Sequence, residues 1–353
     1  MYACVAKCPF SSRSVTFIFL AGVVAAALIF AFVNGFHDGS NVLATMISSR
    51  SLPSNHALIL GASSEFLGAV LLGKKVAETV GFKILNLELI TLWVVLTAIV
   101  GAILWDLITW WWGVPSSSSH ALIGGLLGAA IAESFFLKFS SLKVIHWSNV
   151  GLIFIVLFIS PPLGMGLGFF FTKLSFFFSK GASPKINRLF KILQTVSSFF
   201  IGLSHASNDA PKTMGIIVMA LSIVSLQIGE KISFAIPGWV VWTSAFFLSF
   251  GILKVGWRIM RTVGKRLYRI RPIHGFGAQS GASFVILLSS LTGFPVSTTQ
   301  IVNSSVIGAG AAERPKAVRW GIMLNIFLAW IITIPASAAI AGGIYTFIRL
   351  LIR

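Results

Sequence analysis

The side chains with the most chemistry to offer lie in two short stretches, NGFHDGSN at residues 34–41 and HASNDAPK at 205–212. Asn34, His37, Asp38 and Asn41 interrupt an apolar run. His205, Asn208, Asp209 and Lys212 fall on the same positions 171 residues later. A carboxylate inside an apolar segment faces the protein interior and marks an ion path. Sodium takes oxygen ligands, which Asp38, Asn41 and Asp209 provide; a proton needs only one carboxyl.

A second pair of stretches has the opposite preference. GVPSSSSH at 113–120 is repeated as GFPVSTTQ at 293–300, so Gly113, Pro115, Ser117 and Gly128 are matched by Gly293, Pro295, Ser297 and Gly308. Proline followed by serines is a helix start, rich in hydroxyls and unpaired N–H groups, and such an end attracts anions. Ser117, Ser118, Ser119, Ser297, Thr298 and Thr299 are therefore candidate anion donors beside candidate cation ligands. Cotransport of an anion with cations uses both. Moving each negative charge into a negative-inside compartment costs about 2.3 kcal/mol per 100 mV, so accumulating an anion requires cations to travel with it.

The elements that position these residues are set by composition. Of 353 residues 56% are hydrophobic and 10% charged, at a mean hydropathy of +0.92, too apolar for a soluble globule. An all-α polytopic membrane protein is expected. Apolar runs near 15–33, 55–73, 89–112, 121–137, 147–171, 192–204, 214–226, 236–253, 280–294, 301–312 and 320–348 predict ten to twelve membrane segments, some of them re-entrant. Corresponding polar interruptions in two halves point to internal repeats and to helices broken at 34–41 and 205–212, with Asp209 capping a new helix and Pro211 in its first turn. The first repeat is read as 1–172 and the second as 192–353. Between them lies a basic connecting loop, 173–191, and a second basic loop occupies 254–272.

The net charge of +18 sits mostly in these loops, at Lys173, Lys180, Lys185, Arg188 and Lys191, then Lys254, Arg258, Arg261, Lys265, Arg266, Arg269 and Arg271. It reports topology, with both loops cytoplasmic, rather than nucleic-acid binding. The later cluster also suits anionic lipid headgroups. Lys7 and Arg13 precede the first apolar run. Cys4 and Cys8, the only cysteines, give no disulfide framework or four-ligand zinc site. The multi-pass chain reads as a resident of a prokaryotic plasma membrane, with a homo-oligomer compatible with it.

Several polar residues fall between the motifs. Glu65 lies in an apolar run among small residues and reads as part of an ion path or as a carboxyl paired with a hydroxyl. Asp106 precedes an aromatic cluster and reads as lying at the headgroup level. Lys212 stands where the first half has Asn41: it substitutes for one cation, contacts the anion, or snorkels. Gln279 reads as a polar contact between helices, with a substrate-facing position as the other reading.

In these motifs the chain resembles the PiT family of inorganic phosphate transporters over nearly its whole length. The paired Asp centres NGFHDGSN and HASNDAPK, the serine-rich hairpins GVPSSSSH and GFPVSTTQ, and the segment EFLGAVLLGKKVAETV carry the likeness. The resemblance implies orthophosphate import by symport with sodium ions or protons through inverted repeats, with no other cofactor. It implies cation handling by Asp38, Asn41, Asp209, Glu65 and Asn208, with sodium on Asp38 and Asp209. It implies a phosphate cradle of Ser117, Ser118, Ser119, Ser297, Thr298 and Thr299. Gln300 departs from the histidine that His120 keeps in the first hairpin, and His37, His120, Gln300 and Gln279 complete the candidates. Other tetrahedral anions or a metal–phosphate complex would use similar donors, and an oxyanion channel would lack coupling. A serine hydrolase using His120 and Asp38 lacks a nucleophile elbow, and no GxxxxGK[ST] signature supports an ATP-driven pump.

Overall fold

A computed structural model of the chain describes residues 13–138, 140–230, 234–254, 259–260, 262 and 268–352. Cys4, Cys8, Lys7, Arg258, Arg261, Lys265 and Arg266 lie outside the described residues. Among those described are twelve α-helices and no strand. The first half contains α1 (Arg13–Ser48), α2 (Ser54–Leu71), α3 (Lys74–Phe82), α4 (Leu92–Trp112), α5 (Ser118–Leu137), the short α6 (Ser141–Val144) and α7 (Trp147–Phe178). The second contains α8 (Ile186–Gln227), α9 (Gly238–Leu253), α10 (Pro272–Thr292), α11 (Thr298–Glu313) and α12 (Trp320–Leu351).

Six of these helices, α1, α4, α5, α7, α8 and α12, are long and apolar enough to cross a membrane, and α2 with α3 forms a further span bent by 70°. The chain is a multi-pass membrane protein. The halves exchange partners reciprocally: α1 packs on α9 and α8 on α2, while the α4–α5 hairpin packs on α12 and the α10–α11 hairpin on α7. Since a hairpin enters and returns, α1, α2–α3 and α7 leave the first half with an odd number of crossings. The second half is therefore threaded in the opposite sense, as an inverted repeat.

The expected helix breaks at 34–41 and 205–212 are absent. α1 runs unbroken through Asn34, His37, Asp38 and Asn41 for 36 residues, and α8 runs through His205, Asp209 and Pro211 for 42. Asp209 caps nothing. At 1.5 Å per residue α8 is about 63 Å long, twice a hydrocarbon core of roughly 30 Å. The backbone keeps its ladder because the polar side chains find partners on neighbouring elements, so only Pro211 costs a hydrogen bond, at the carbonyl of Ser207. That carbonyl faces Gly73, where a Cβ would lie 2.6 Å from it and 2.3 Å from Pro211 Cγ. The chain bends at this glycine instead, with φ of +104° between α2 and α3.

The hairpin tips are the true interruptions. α4 ends at Gly113 (φ +67°) and α10 at Gly293 (φ +87°), both left-handed, and an extended run leads to the N-caps Ser117 and Ser297. Ser117 Oγ accepts from His120 N at 3.2 Å and Ser297 Oγ from Gln300 N at 3.3 Å. Further along, Gly128 and Gly308 let each hairpin touch a neighbouring backbone. A Cβ would lie 2.1 Å from Ala338 O on α12 and 2.0 Å from Met165 O on α7. These contacts fix how deep each tip reaches.

Candidate functional site

The two tips meet the polar faces of α1 and α8 in the buried centre of the molecule. Ser118 Oγ donates to Asp38 Oδ2 at 2.6 Å, and Thr299 Oγ1, from the other half, donates to Asp38 Oδ1 at 2.7 Å. Thr298 Oγ1 donates to Asp209 Oδ2 at 3.3 Å. Asn41 Nδ2 donates to Thr299 Oγ1 at 3.1 Å, and Lys212 Nζ, its counterpart, donates to Ser119 Oγ at 2.5 Å. The repeat seen in the sequence is thus a repeat of contacts. Each α1 or α8 polar residue at this position reaches the tip of the opposite half.

Asn34 joins the two carboxylates. Its amide nitrogen, in the orientation its neighbours require, lies 3.0 Å from Asp38 Oδ2, 3.2 Å from Asp209 Oδ2 and 3.1 Å from Ser118 Oγ. Asp38, His205 and Asp209 each place a ligand atom within 4.8 Å of the others. Around Asp209, besides the Thr298 hydroxyl, stand Lys212 Nζ at 2.5 Å on Oδ1 and His205 Nε2 at 3.1 Å on Oδ2. Lys212 is 1% exposed and also donates to Val296 O at 3.1 Å. The snorkelling reading is therefore wrong, because the ammonium turns inward to the carboxylate. Around Asp38 the surroundings hold more oxygen, and Asn41 Oδ1 is buried without a hydrogen-bond partner.

The remaining candidates divide between the site and its supports. Glu65, on α2, contacts His205 Nδ1 at 2.9 Å and so extends the chain from Asp209 outward. His37 contacts Asp38 Oδ1 through Nδ1 at 2.7 Å and lies beside Thr109 and Ser116 through Nε2. Asn208 holds the second tip: it receives Val296 N at 3.0 Å and donates to Phe294 O at 3.1 Å and Ser290 Oγ at 3.2 Å. Ser117 and Ser297 accept at the helix starts, leaving their hydrogens to donate. His120 Nδ1 and Gln300 Nε2 face each other at 3.0 Å beside an apolar cavity of about 210 Å³ between α7 and α12. Gln279 contacts neither carboxylate; it bonds Thr45, Ser197 and Ser198.

Sequence reasoning missed three participants as site residues. Asn34 and His205 occupy matching motif positions, and that register was the signal that could have found them. Asp106 is fully buried on α4. Thr109 and Ser116, which bond each other at 2.7 Å, stand between that helix and His37. The aromatic cluster that suggested an interface includes Trp110, whose ring packs 5.2 Å from that of Phe36.

A multi-pass helical bundle in which two hydroxyl-tipped hairpins meet buried carboxylates has the architecture of a membrane transporter. The chain matches the model of the phosphate transporter family over residues 34–341, and it belongs to that family. It is a phosphate transporter and not an enzyme. Similar proteins include a probable low-affinity inorganic phosphate transporter of Rhizobium meliloti (strain 1021), 39% identical over 94% of this chain and 97% of that protein. A protein of the same description from Bacillus subtilis (strain 168) is 36% identical over 93% and 97%. Among solved structures, one described as the sodium-dependent phosphate transporter superposes with a TM-score of 0.82 at 23% identity, covering 94% of this chain and 99% of that one.

Proposed function

We propose that the chain imports inorganic phosphate across a prokaryotic plasma membrane by symport with sodium ions or protons. The anion is held by Ser118, Ser119, Thr298 and Thr299, with the N–H groups of the first turns of α5 and α11, and Lys212 supplies a fixed positive charge beside it. Asp38, with the free oxygen of Asn41, forms the oxygen-rich half suited to sodium; Asp209, already paired with Lys212 and His205, needs no second mobile cation. Glu65 acts through His205. The single observation that carries this reading is the convergence of both hairpin tips on the two carboxylates. The similarity to a sodium-dependent phosphate transporter supports sodium as the coupling ion.

The two halves would then move against each other about this point, with the link between α7 and α8 on the cytoplasmic side; that link is 179–185, shorter than the expected loop 173–191, because both helices extend into it. Labelled phosphate uptake into proteoliposomes, under sodium and proton gradients imposed separately, tests the proposal. Saturable uptake driven by one of the two gradients is expected. Uptake that ignores both gradients and does not saturate would replace symport by a channel.

A further inference from the structure

Beyond Asn41 the polar side chains continue as a buried, hydrogen-bonded column. Thr45 on α1, and Ser49 just past its end, stand about one and two turns beyond Asn41. Gln279 Nε2 donates to Thr45 Oγ1 and to Ser198 Oγ, both at 2.8 Å, and Ser197 Oγ donates to Gln279 Oε1 at 2.8 Å. One turn further out, Gln194 Oε1 accepts from Ser49 Oγ at 2.7 Å and Ser51 Oγ at 2.5 Å. Gln194 Nε2 is buried with no hydrogen-bond partner. Thr45, Gln279, Ser198 and Gln194 are buried, while Ser51 reaches the surface beside exposed Arg50, on the face where Arg188 and Lys191 precede Gln194 on α8.

The repeat supplies a control within the same chain. The positions matching Thr45 and Ser49 are Ile216 and Ala220 on α8; those matching Gln194, Ser197 and Ser198 are Val23, Ala26 and Ala27 on α1; that matching Gln279 is Ile99 on α4. Val23, Ala27, Ile99, Ile216 and Ala220 belong to the largest buried apolar cluster, with Ala26 packed against it. The fold thus needs no polar residue at any of these places. Burying amides and hydroxyls is unfavourable unless they are bonded, so amides and hydroxyls at these six places, whose repeat-related positions are apolar while only Ser51 has a polar counterpart in Ser222, have a cause other than packing.

We propose, on the basis of the transport reading above, that this column is the cytoplasmic leg of the phosphate pathway. It is closed by the hydrogen bonds that Gln279 and Gln194 make to the serines and Thr45, with Gln279 as the central gate residue. When α1 and α8 separate from α10, the same groups solvate the leaving anion, as polar pore walls do. On the opposite leg the positions matching Thr45, Ser49, Gln194 and Gln279 are closed by apolar side chains.

Side-specific labelling tests this. In a background with Cys4→Ser and Cys8→Ser, the variants Thr45→Cys, Ser198→Cys and Ile216→Cys are exposed to a membrane-impermeant methanethiosulfonate from each face of oriented vesicles, with Lys185→Cys marking the basic face. Thr45→Cys and Ser198→Cys should react from the basic face at least tenfold faster than Ile216→Cys, with phosphate slowing them severalfold. Equal rates at all three positions, or reaction from the other face only, would overturn the proposal. Gln279→Leu should retain phosphate affinity within about twofold while turnover falls at least tenfold; unchanged turnover would also overturn it. The labelling comparison needs no phosphate. A wild-type protein that binds no phosphate would instead overturn the transport reading, and the rates would still decide whether the column opens.

Discussion

Asp38 and Asp209 are equivalent in sequence and unequal in surroundings. Asp38 takes an imidazole, His37, and two hydroxyl donors, Ser118 and Thr299, while Asp209 takes an ammonium, an imidazole and one hydroxyl. Asp38→Asn should therefore lower cation-driven phosphate uptake at least tenfold by removing a cation ligand. Asp209→Asn should do so by leaving the buried Lys212 unpaired, with loss of stability as well; thermal melting in detergent separates the two effects. Lys212→Asn should restore the Asn41-like arrangement and add a cation dependence, read from the slope of uptake against cation concentration. An unchanged slope and unchanged phosphate affinity would remove Lys212 from the account. Hydrogen bonds to charged groups contribute about 1.5–3 kcal/mol, so Thr299→Val should weaken phosphate binding at least tenfold. These residues were legible because a motif repeated in register exposes its own members. Asn34 was only half legible, since a single amide bridging two carboxylates depends on how the halves are brought together.

At the scale of the elements, the starts of α5 and α11 were readable from proline, serine and glycine, which act locally on the backbone. The continuity of α1 and α8 was not. Clustered polar residues suggest a break in an apolar helix, yet the hairpin tips supply them with partners while the helix backbone stays intact. The bend expected near Pro211 lies in its neighbour, at Gly73, because a proline's unpaired carbonyl calls for close approach from another chain segment rather than for a break in its own. Gly128 and Gly308 set the depth of the tips, so Gly128→Val or Gly308→Val should displace a hairpin from α12 or α7. Each should cost about 1–3 kcal/mol, seen as a melting midpoint lowered by several degrees, together with weaker phosphate binding. A valine tolerated at both positions without change would mean that the tips are not held by these contacts.

For the whole molecule, the duplication was readable because internal repetition survives without knowledge of packing, while the inversion of the halves came from the family resemblance. What they could not give is the exchange of partners, by which each hairpin packs on the last long helix of the other half. Inverted threading predicts that Ser14→Cys and Lys185→Cys, at the repeat-related starts of α1 and α8, are labelled by an impermeant thiol reagent from opposite faces of the membrane; labelling from one face would contradict it. The central claim is that phosphate sits between the two tips, and equilibrium binding of labelled phosphate to the purified protein tests it most directly. Wild-type protein should bind saturably, and the combined variant Ser118→Ala, Thr298→Ala, Thr299→Ala, still folded by its melting curve, should lose binding at least a hundredfold. Undiminished binding by that folded variant would contradict the account.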